Sequence, residues 1–279
     1  MENLITAHLM GGLGNQLFQI AHALCQGWKH NREVSFFPSS WTPGQGRSVE
    51  NYFNNVFRNI NFSKDLKGFE TVYEGPFEYS EVNPLPGNTS FHGYYQSSKN
   101  WFGFDEKLRE LFQPTEDIKN EFLEKYPQLK LPDTLSLHVR RSEYLQFPEI
   151  HPTISIEYIQ KALESIGGYS TIFLFTDEES RWPGSRDFVT KNIDLPNIVF
   201  VEETEDWKEF WLMGLCQNHI ISNSTFSWWA TFLNTNKSKK IVSPSTWFGP
   251  KGPNAKDIFE KSWTLIPTQW TEGGLIKPI

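Results

Sequence analysis

Residues 135–144 read L-S-L-H-V-R-R-S-E-Y, an apolar alternation that ends in a histidine, two arginines and a glutamate. The alternating leucines and valine predict a buried strand, and the carboxyl ends of parallel strands form the ligand crevice of an open α/β sheet. Arg140 and Arg141 are therefore expected at a binding site, because a guanidinium group is planar, charged and matched to the paired oxygens of a phosphate. The alternative interpretation is a surface ion pair between one arginine and Glu143 or Glu149.

Outward from this strand, apolar and amphipathic segments alternate, which favours parallel sheets with crossover helices. Strands are predicted at residues 4–10, 34–37, from 90 onward, 135–139, 171–175, 198–201, 219–222 and 240–242. Helices are predicted at residues 15–30, 105–112, 116–126, 155–166, 206–216 and 227–233, with helical spacing also over 52–60. With a linker at 127–132, we predict an α/β fold of two domains, 1–130 and 131–258, that face a cleft, and a tail, 259–279, that crosses back to the first domain.

Composition limits the classes of function. The net charge of −7 over 279 residues argues against non-specific binding to nucleic acid, although a small anionic ligand could still occupy a local basic pocket. Cys25 and Cys216 lie far apart, so neither a zinc site nor a disulfide framework is predicted. The absence of a basic, apolar leader and of any run of about 18 apolar residues predicts a cytoplasmic protein without a membrane span. The eleven tryptophans are either core anchors or carbohydrate contacts.

The first strand is followed by a glycine-rich loop, G-G-L-G-N-Q, at residues 11–16. Here Gly12, Gly14 and Asn15 are candidates for binding a ligand, because glycines between a strand and a helix let backbone amides approach it closely. The alternative is a tight structural turn. The loop lacks the dinucleotide fingerprint, since Leu17 stands where a third glycine or alanine is required. A dinucleotide-dependent oxidoreductase is therefore disfavoured.

Two further motifs follow later strands. In F-T-D-E, Asp177 could accept two N–H groups from the edge of a guanine, or it could cap a helix. In S-N-S-T-F-S-W-W, the hydroxyls of Ser222, Ser224 and Thr225 precede a helix, whose first N–H groups favour phosphate; capping alone is the alternative. Because all these motifs follow strands of one predicted sheet, they should converge on one edge, and together they suit a diphosphate that carries guanine.

The chain resembles glycosyltransferase family 11, the α1,2-fucosyltransferases, in its bacterial type. The resemblance lies in six motifs that occur in the order of the family: G-G-L-G-N-Q-L-F-Q near the start, G-Y-Y-Q-S-S-K at 93–99, H-V-R-R, F-T-D-E, S-N-S-T-F-S-W-W and S-P-S-T-W-F at 243–248. It covers residues 11–248. One position departs from the common pattern, because Ser142 and Glu143 stand where bacterial members have glycine and aspartate.

The resemblance implies a GT-B architecture, in which two Rossmann-like domains face a cleft and the C-terminal one binds GDP-fucose. Arg140 would contact the β-phosphate, His138 would help to hold the base, and Asp177 would read guanine. The other donor-binding residues expected from the resemblance and from the motifs are Gly12, Gly14, Asn15, Ser222, Ser224, Thr225 and Phe226.

The implied reaction is an inverting displacement at the anomeric carbon of fucose, in which Arg140 and Arg141 stabilise the charge on the departing GDP. No Asp-x-Asp motif occurs in the sequence, so neither a divalent metal nor a further cofactor is expected. Glu143 is our candidate for the general base, and its alternative role is to hold Arg141 in place. The other candidate bases are Glu149, His151 and His8.

The implied acceptor is a galactose-terminated oligosaccharide or lipid-linked glycan at the inner face of the membrane, with transfer to O2 of the galactose. Its pocket is expected in the N-terminal domain, with the candidate residues Trp41, His92, Tyr94, Tyr95, Gln96 and Trp101. Two alternatives remain open: a fucosyltransferase of α1,6 or α1,3 linkage, and a non-catalytic carbohydrate-binding protein. Peripheral association with a membrane is compatible with these features, and nucleic acid is not an expected partner.

Overall fold

The computed structural model describes residues 3–39, 47–101, 103–141, 143–177 and 184–279. Trp41 and Ser142, and Glu178 of the F-T-D-E motif, lie outside the described residues. The chain forms two compact units: unit 1 comprises Met1–Pro114 and Ala255–Glu260, and unit 2 comprises Thr115–Asn254 and Lys261–Ile279. This division differs from the predicted one. The first unit ends at Pro114 and not at residue 130, and the tail from Lys261 belongs to unit 2.

Unit 1 is built on a parallel sheet. Its strands are β1 (Ile5–Ala7), β2 (Glu70–Tyr73) and β3 (Thr89–His92), in the order β1-β3-β2. The predicted strand at 34–37 is present only as isolated bridges. Helix α1 (Leu13–His30) follows β1, and α2 (Asp105–Phe112) has the predicted bounds. The helical spacing over 52–60 corresponds to a short 3₁₀ helix, Val49–Tyr52, followed by turns.

Unit 2 contains a six-stranded parallel sheet and a small second sheet. The large sheet has the order β10-β9-β8-β4-β6-β7, and the small one has the order β11-β12-β5. The strands are β4 (Thr134–Val139), β5 (Thr153–Ile154), β6 (Thr171–Thr176), β7 (Ile198–Phe200), β8 (Asn218–Ile220), β9 (Ile241–Pro244), β10 (Thr264–Ile266), β11 (Thr268–Trp270) and β12 (Leu275–Pro278). The helices are α3 (Glu116–Lys125), α4 (Ile156–Ile166), α5 (Ser185–Thr190), α6 (Asp206–Leu215) and α7 (Thr225–Leu233).

The order of these strands determines where a ligand can bind in unit 2. The chain runs outward from β4 through β6 to β7 and then returns to the other side of β4 as β8. The sequence of strands therefore reverses between β4 and β8, and the crevice at the carboxyl ends of such a pair is the usual ligand site of a doubly wound sheet.

The core of unit 2 explains why residues 135–139 are so strongly apolar. The side chains of Leu135, Leu137 and Val139 are fully buried in a cluster with the apolar face of α4, as expected for a central strand of a parallel sheet covered by helices. The Tyr158 hydroxyl of α4 lies 2.9 Å from the carbonyl oxygen of Ile221. Helix α4 is thereby attached directly to the end of β8.

Acid is expected to destabilise the fold through three buried histidines, His22, His138 and His219. Burial lowers the pKa of each from 6.5 to about 3. The three imidazoles become protonated near pH 6.5 in the unfolded chain but only near pH 3 in the folded chain. The free energy of unfolding therefore falls as the pH drops through that range. We expect about 1 kcal/mol lost per histidine between pH 6 and pH 5, measurable by denaturant unfolding at each pH.

The matched control for this prediction is the exposed histidine His30. A His30→Gln variant should show the same dependence of the unfolding free energy on pH as the unchanged protein. A free energy of unfolding that stays constant from pH 7 to pH 5 would contradict the prediction.

Candidate functional site

The predicted donor-site motifs of unit 2 meet at the carboxyl edge of its large sheet. Arg140 and Arg141 directly follow β4, Asp177 directly follows β6, and residues 221–224 connect β8 to α7. Strands β6 and β8 both pair with β4, so the three loops are neighbours at the point where the strand order reverses. The site thus lies where the topology alone predicts a ligand.

Asp177 holds both arginine positions. Its two carboxylate oxygens accept the backbone N–H of Arg141 at 3.0 and 2.9 Å, and one of them also accepts the hydroxyl of Ser185 at 3.0 Å. Its Oδ2 lies 3.3 Å from Nε of Arg140, and its side chain is only 6% exposed. The carboxylate predicted to read guanine is therefore surrounded by donors of the protein itself.

Arg140 lies between two carboxylates and remains partly open to solvent. Its guanidinium contacts Asp177 and the carboxylate of Glu143, and its side chain is 28% exposed. Burial lowers the pKa of Arg140, but Asp177 and Glu143 raise it more, to above its ordinary value. The group is thus permanently charged, oriented through Nε, and accessible to an anion.

Arg141 is held differently. Its guanidinium carbon lies 3.8 Å from the centre of the Phe188 ring of α5, a distance typical of a cation–π contact. Its buried Nη1 has no hydrogen-bond partner among the described residues. Burial lowers the pKa of Arg141, and Asp177 opposes that shift. The side chain of Arg141 is therefore held by stacking, and its Nη1 is a hydrogen-bond donor that a ligand could use.

Two more buried atoms at this edge have no hydrogen-bond partner among the residues that the structure describes: Nδ1 of His138 and Oδ1 of Asn223. Burial, and next the charge of Arg140, lower the pKa of His138 to about 3, so its imidazole is neutral. Buried polar groups in native proteins almost always have a partner. A ligand with both donors and acceptors would satisfy these atoms together with Arg141.

The loop before α7 is tied to the end of β4 by Ser222. The hydroxyl of this fully buried residue donates to the carbonyl of His138 at 2.7 Å and accepts the backbone N–H of Arg140 at 3.1 Å. Its bonds are thus made within the protein. Ser224 is the N-cap of α7, although its side chain makes no capping hydrogen bond, and Thr225 is the first helical residue. The ring of Phe226 lies 5.8 Å from that of His138.

In unit 1, the glycine-rich loop forms the start of α1. Gly12 is the residue before the helix and has open space where a Cβ would lie. The position that requires glycine is Gly11, because its φ is +72° and a Cβ there would collide with Nδ2 of Asn15. The amide of Gln96 donates to Oδ1 of Asn15 at 2.9 Å, which joins two of the predicted motifs.

The acceptor candidates of unit 1 separate into two groups. Tyr95, Gln96 and Trp101 are 2%, 7% and 1% exposed, so these three candidates are buried within the protein. His92 remains accessible, and its ring lies 4.8 Å from that of His8. Tyr94 is held by its backbone N–H, which donates to the carboxylate of Glu74 at 2.6 Å. Glu74 is distant in sequence from the motif, and no pattern indicated it.

The candidate bases also have defined partners. Glu149 forms an ion pair with Lys251, and His151 stacks on Tyr144 with 4.9 Å between ring centres. Burial lowers the pKa of His8, and the neighbouring His92 lowers it further. Glu143 contacts Arg140 and not Arg141, which favours a role in positioning the arginine.

A Glu143→Gln variant tests this role. Because a glutamine keeps the shape and can still accept a hydrogen bond from Arg140, we expect kcat to fall by less than about tenfold and the acidic limb of the pH–rate profile to stay in place. The measurement is kcat against pH for both proteins. A loss above about a hundredfold together with a lost acidic limb would assign the base to Glu143.

Within the described ranges, no helix is long and apolar enough to cross a membrane. Among the same residues, no three His, Cys, Asp or Glu side chains form a cluster that could hold a metal ion.

Sequence comparisons point to one enzyme family. Residues 51–267 match the family described as glycosyl transferase family 11. An α-1,2-colitosyltransferase of Escherichia coli is 25% identical, covering 95% of this chain and 99% of its own. The O-antigen biosynthesis glycosyltransferase WbnK of Escherichia coli is 28% identical, covering 91% and 98%. The mouse galactoside α-(1,2)-fucosyltransferase 2 is 23% identical, covering 97% and 78%.

Solved structures share the fold. The α-1,6-fucosyltransferase NodZ, co-crystallised with GDP, has a TM-score of 0.53 at 16% identity, covering 84% of this chain and 93% of its own. POFUT1 in complex with GDP has a TM-score of 0.52 at 12% identity, covering 87% and 97%. At such identities the likeness establishes the fold alone. That fold is GT-B, with two Rossmann-like α/β units, as predicted from the resemblance.

Proposed function

The chain belongs to glycosyl transferase family 11, and we propose that it transfers L-fucose from GDP-β-L-fucose to O2 of a terminal galactose in a glycan, with inversion and without a metal ion. The general activity, that of a glycosyltransferase of the fucosyltransferase type, follows from the family. The donor, the linkage, the stereochemistry and the acceptor are the proposal.

The observation that carries the proposal is the environment of Arg140. A permanently charged guanidinium is oriented by Asp177 at the switch point of a Rossmann-like sheet and is 28% exposed. Beside it begins α7, whose first N–H groups and positive dipole end favour phosphate. Two adjacent groups that prefer phosphate suit a nucleoside diphosphate better than a neutral sugar.

In the proposed reaction, the acceptor oxygen attacks the anomeric carbon while the bond from that carbon to the β-phosphate oxygen breaks. GDP leaves with the bonding electrons, the proton of the acceptor hydroxyl passes to a base, and a β-linked donor gives an α-linked product. Negative charge grows on the leaving phosphate in the transition state. Arg140, Arg141 and the start of α7 are positioned to stabilise that charge, which is the task that a divalent metal performs in other glycosyltransferases.

The galactose linkage is supported by the relatives, because one is named an α-1,2-colitosyltransferase and another a galactoside α-(1,2)-fucosyltransferase. The first name also supports a second candidate donor, a nucleotide that carries colitose instead of fucose. We therefore propose a lipid-linked or free galactose-terminated glycan as the acceptor, and treat the donor sugar as the variable to test.

The experiment is GDP release from GDP-fucose in the presence of EDTA, over a panel of galactose-terminated acceptors, repeated with the colitose-bearing donor. We expect release that depends on an acceptor and is unaffected by EDTA. Binding of GDP without release from any acceptor would retain the donor site and reject the acceptor class. Neither release nor GDP binding would reject the proposal in favour of a non-catalytic carbohydrate-binding protein.

A further inference from the structure

The buried amide of Asn223 connects three loops at the carboxyl edge of the unit 2 sheet. Asn223 is 2% exposed and lies in the loop between β8 and α7. Its Nδ2 donates to the carbonyl of Pro152 at 2.9 Å and to that of Trp247 at 2.8 Å. Pro152 belongs to the loop after β4 and Trp247 to the loop after β9. Both amide hydrogens are thus used to hold other loops.

The backbone of Asn223 extends this connection toward Arg140. Its carbonyl accepts the hydroxyl of Tyr144 at 3.2 Å, and burial above all raises the pKa of Tyr144 to about 12, so the hydroxyl stays protonated. The ring of Tyr144 lies 5.6 Å from the guanidinium carbon of Arg140. Through Tyr144, Asn223 therefore links the start of α7 to the loop that carries Arg140.

The two loops that contain Pro152 and Trp247 are themselves held in place by hydrogen bonds and close packing, so the position of Asn223 is fixed relative to them. The backbone N–H of Thr246 donates to Oγ1 of Thr268 at 3.0 Å, and the N–H of Thr268 donates to the hydroxyl of Ser245 at 2.9 Å. A Cβ on Gly249 would lie 2.5 Å from the carbonyl oxygen of Glu149, which shows how closely the two loops pack. This accounts for the S-P-S-T-W-F motif, which the proposed reaction leaves without a role.

We propose that Asn223 is a positioning residue that sets the distance between Arg140 and the N-terminus of α7, so that both meet one diphosphate. The inference rests on the proposed function, because it concerns the same donor site. Two phosphate-binding groups on different loops act together only if their spacing matches the ligand, and a displacement of about 1 Å can cost about a hundredfold in rate.

The test compares Asn223→Ala and Asn223→Asp with a matched control, Asn234→Ala. Asn234 is 6% exposed, and its Nδ2 donates to the carbonyl of Cys216 at 2.7 Å and lies 2.7 Å from Nε2 of His219. These bonds are at the opposite, amino end of the same sheet. The readouts are the dissociation constant of GDP by calorimetry, kcat and KM for GDP-fucose, and the midpoint of thermal unfolding.

We expect all three variants to unfold at lower temperature, but only the Asn223 variants to bind GDP about tenfold or more weakly, with a higher KM for GDP-fucose. Asparagine-to-aspartate should be at least as harmful as the alanine change, because it replaces both donors with a carboxylate facing two carbonyls. In case these variants do not fold, Tyr144→Phe removes only the phenol hydroxyl, which contacts both Asn223 and Ser224 in the loop before α7, and should weaken GDP binding about threefold.

If the unchanged protein binds GDP, either of two results would overturn the inference. One is normal GDP affinity in folded Asn223 variants, or in Tyr144→Phe if only that variant folds. The other is an equal loss of affinity in Asn234→Ala, which would reduce the effect to general stability. Failure of the unchanged protein to bind GDP is a different outcome, because it rejects the proposed function itself.

Discussion

An Arg140→Ala variant is expected to lose a factor of about 10²–10³ in kcat while remaining folded. In the proposed reaction the guanidinium stabilises the leaving phosphate, and its contribution should be greatest in the transition state, where that phosphate gains charge. The fold should survive because Asp177 keeps its bonds to the N–H of Arg141 and to Ser185, while Glu143 is 41% exposed and can be hydrated.

Two control variants make this prediction specific. Arg140→Lys keeps the charge but loses the planar fork, so it should recover only part of the rate. Arg186→Ala removes an arginine of the same unit that pairs with the exposed Glu202 at 3.0 Å, and its rate should stay within about twofold of normal. Near-normal turnover in Arg140→Ala would remove the arginine from the mechanism and leave the proposed donor site without its central group.

An Asp177→Asn variant is expected to lower the free energy of unfolding by about 1–3 kcal/mol and kcat/KM by about a hundredfold. The carboxylate accepts from a backbone N–H, a hydroxyl and a guanidinium at once. An amide of the same shape would turn an N–H toward these donors, so at least one of them loses its acceptor in a buried setting. Denaturant unfolding and steady-state kinetics measure the two effects.

The same variant separates the two roles considered for Asp177. If the carboxylate positions the arginines, the variant should bind GDP and ADP more weakly by a similar factor. If it reads guanine, as the family resemblance implies, the preference for GDP over ADP should collapse while stability stays near normal. Asp187→Asn is the control, since that carboxylate is 60% exposed and pairs with Lys191 on the surface of α5.

Much of the fold was predictable because it depends on short-range pattern. The apolar run at 135–139 is the central strand β4, and the amphipathic segment at 105–112 is the helix α2, because periodicity reports which face of an element is buried. Strand β2 was not predicted, because it is only four residues long and its buried and exposed positions do not alternate: its outer two residues are exposed and its inner two are partly buried. The strands of the tail were missed for the same reason.

The candidate site was predictable to the extent that its residues follow strands. Arg140 and Asp177 come directly after β4 and β6, and Ser222 is the second residue after β8, so a parallel sheet must bring them to one edge. Whether a side chain is available to a ligand is a different question. Tyr95 lies in the G-Y-Y-Q-S-S-K motif and Trp101 two residues after it, yet both are buried, because exposure depends on what packs over a residue and not on its neighbours in sequence.

The sequence by itself determined the class of fold, the edge of the sheet at which the charged motifs gather, and the family. Only the tertiary structure decided which side chains are hydrogen-bonded or paired with one another. Donors of the protein itself bind the carboxylate of Asp177, Glu143 contacts Arg140, and Asn223 joins three loops. Periodicity and motif order are local properties that a linear pattern records. A hydrogen bond between residues separated by 71 positions, as between Asn223 and Pro152, exists only once the chain has folded.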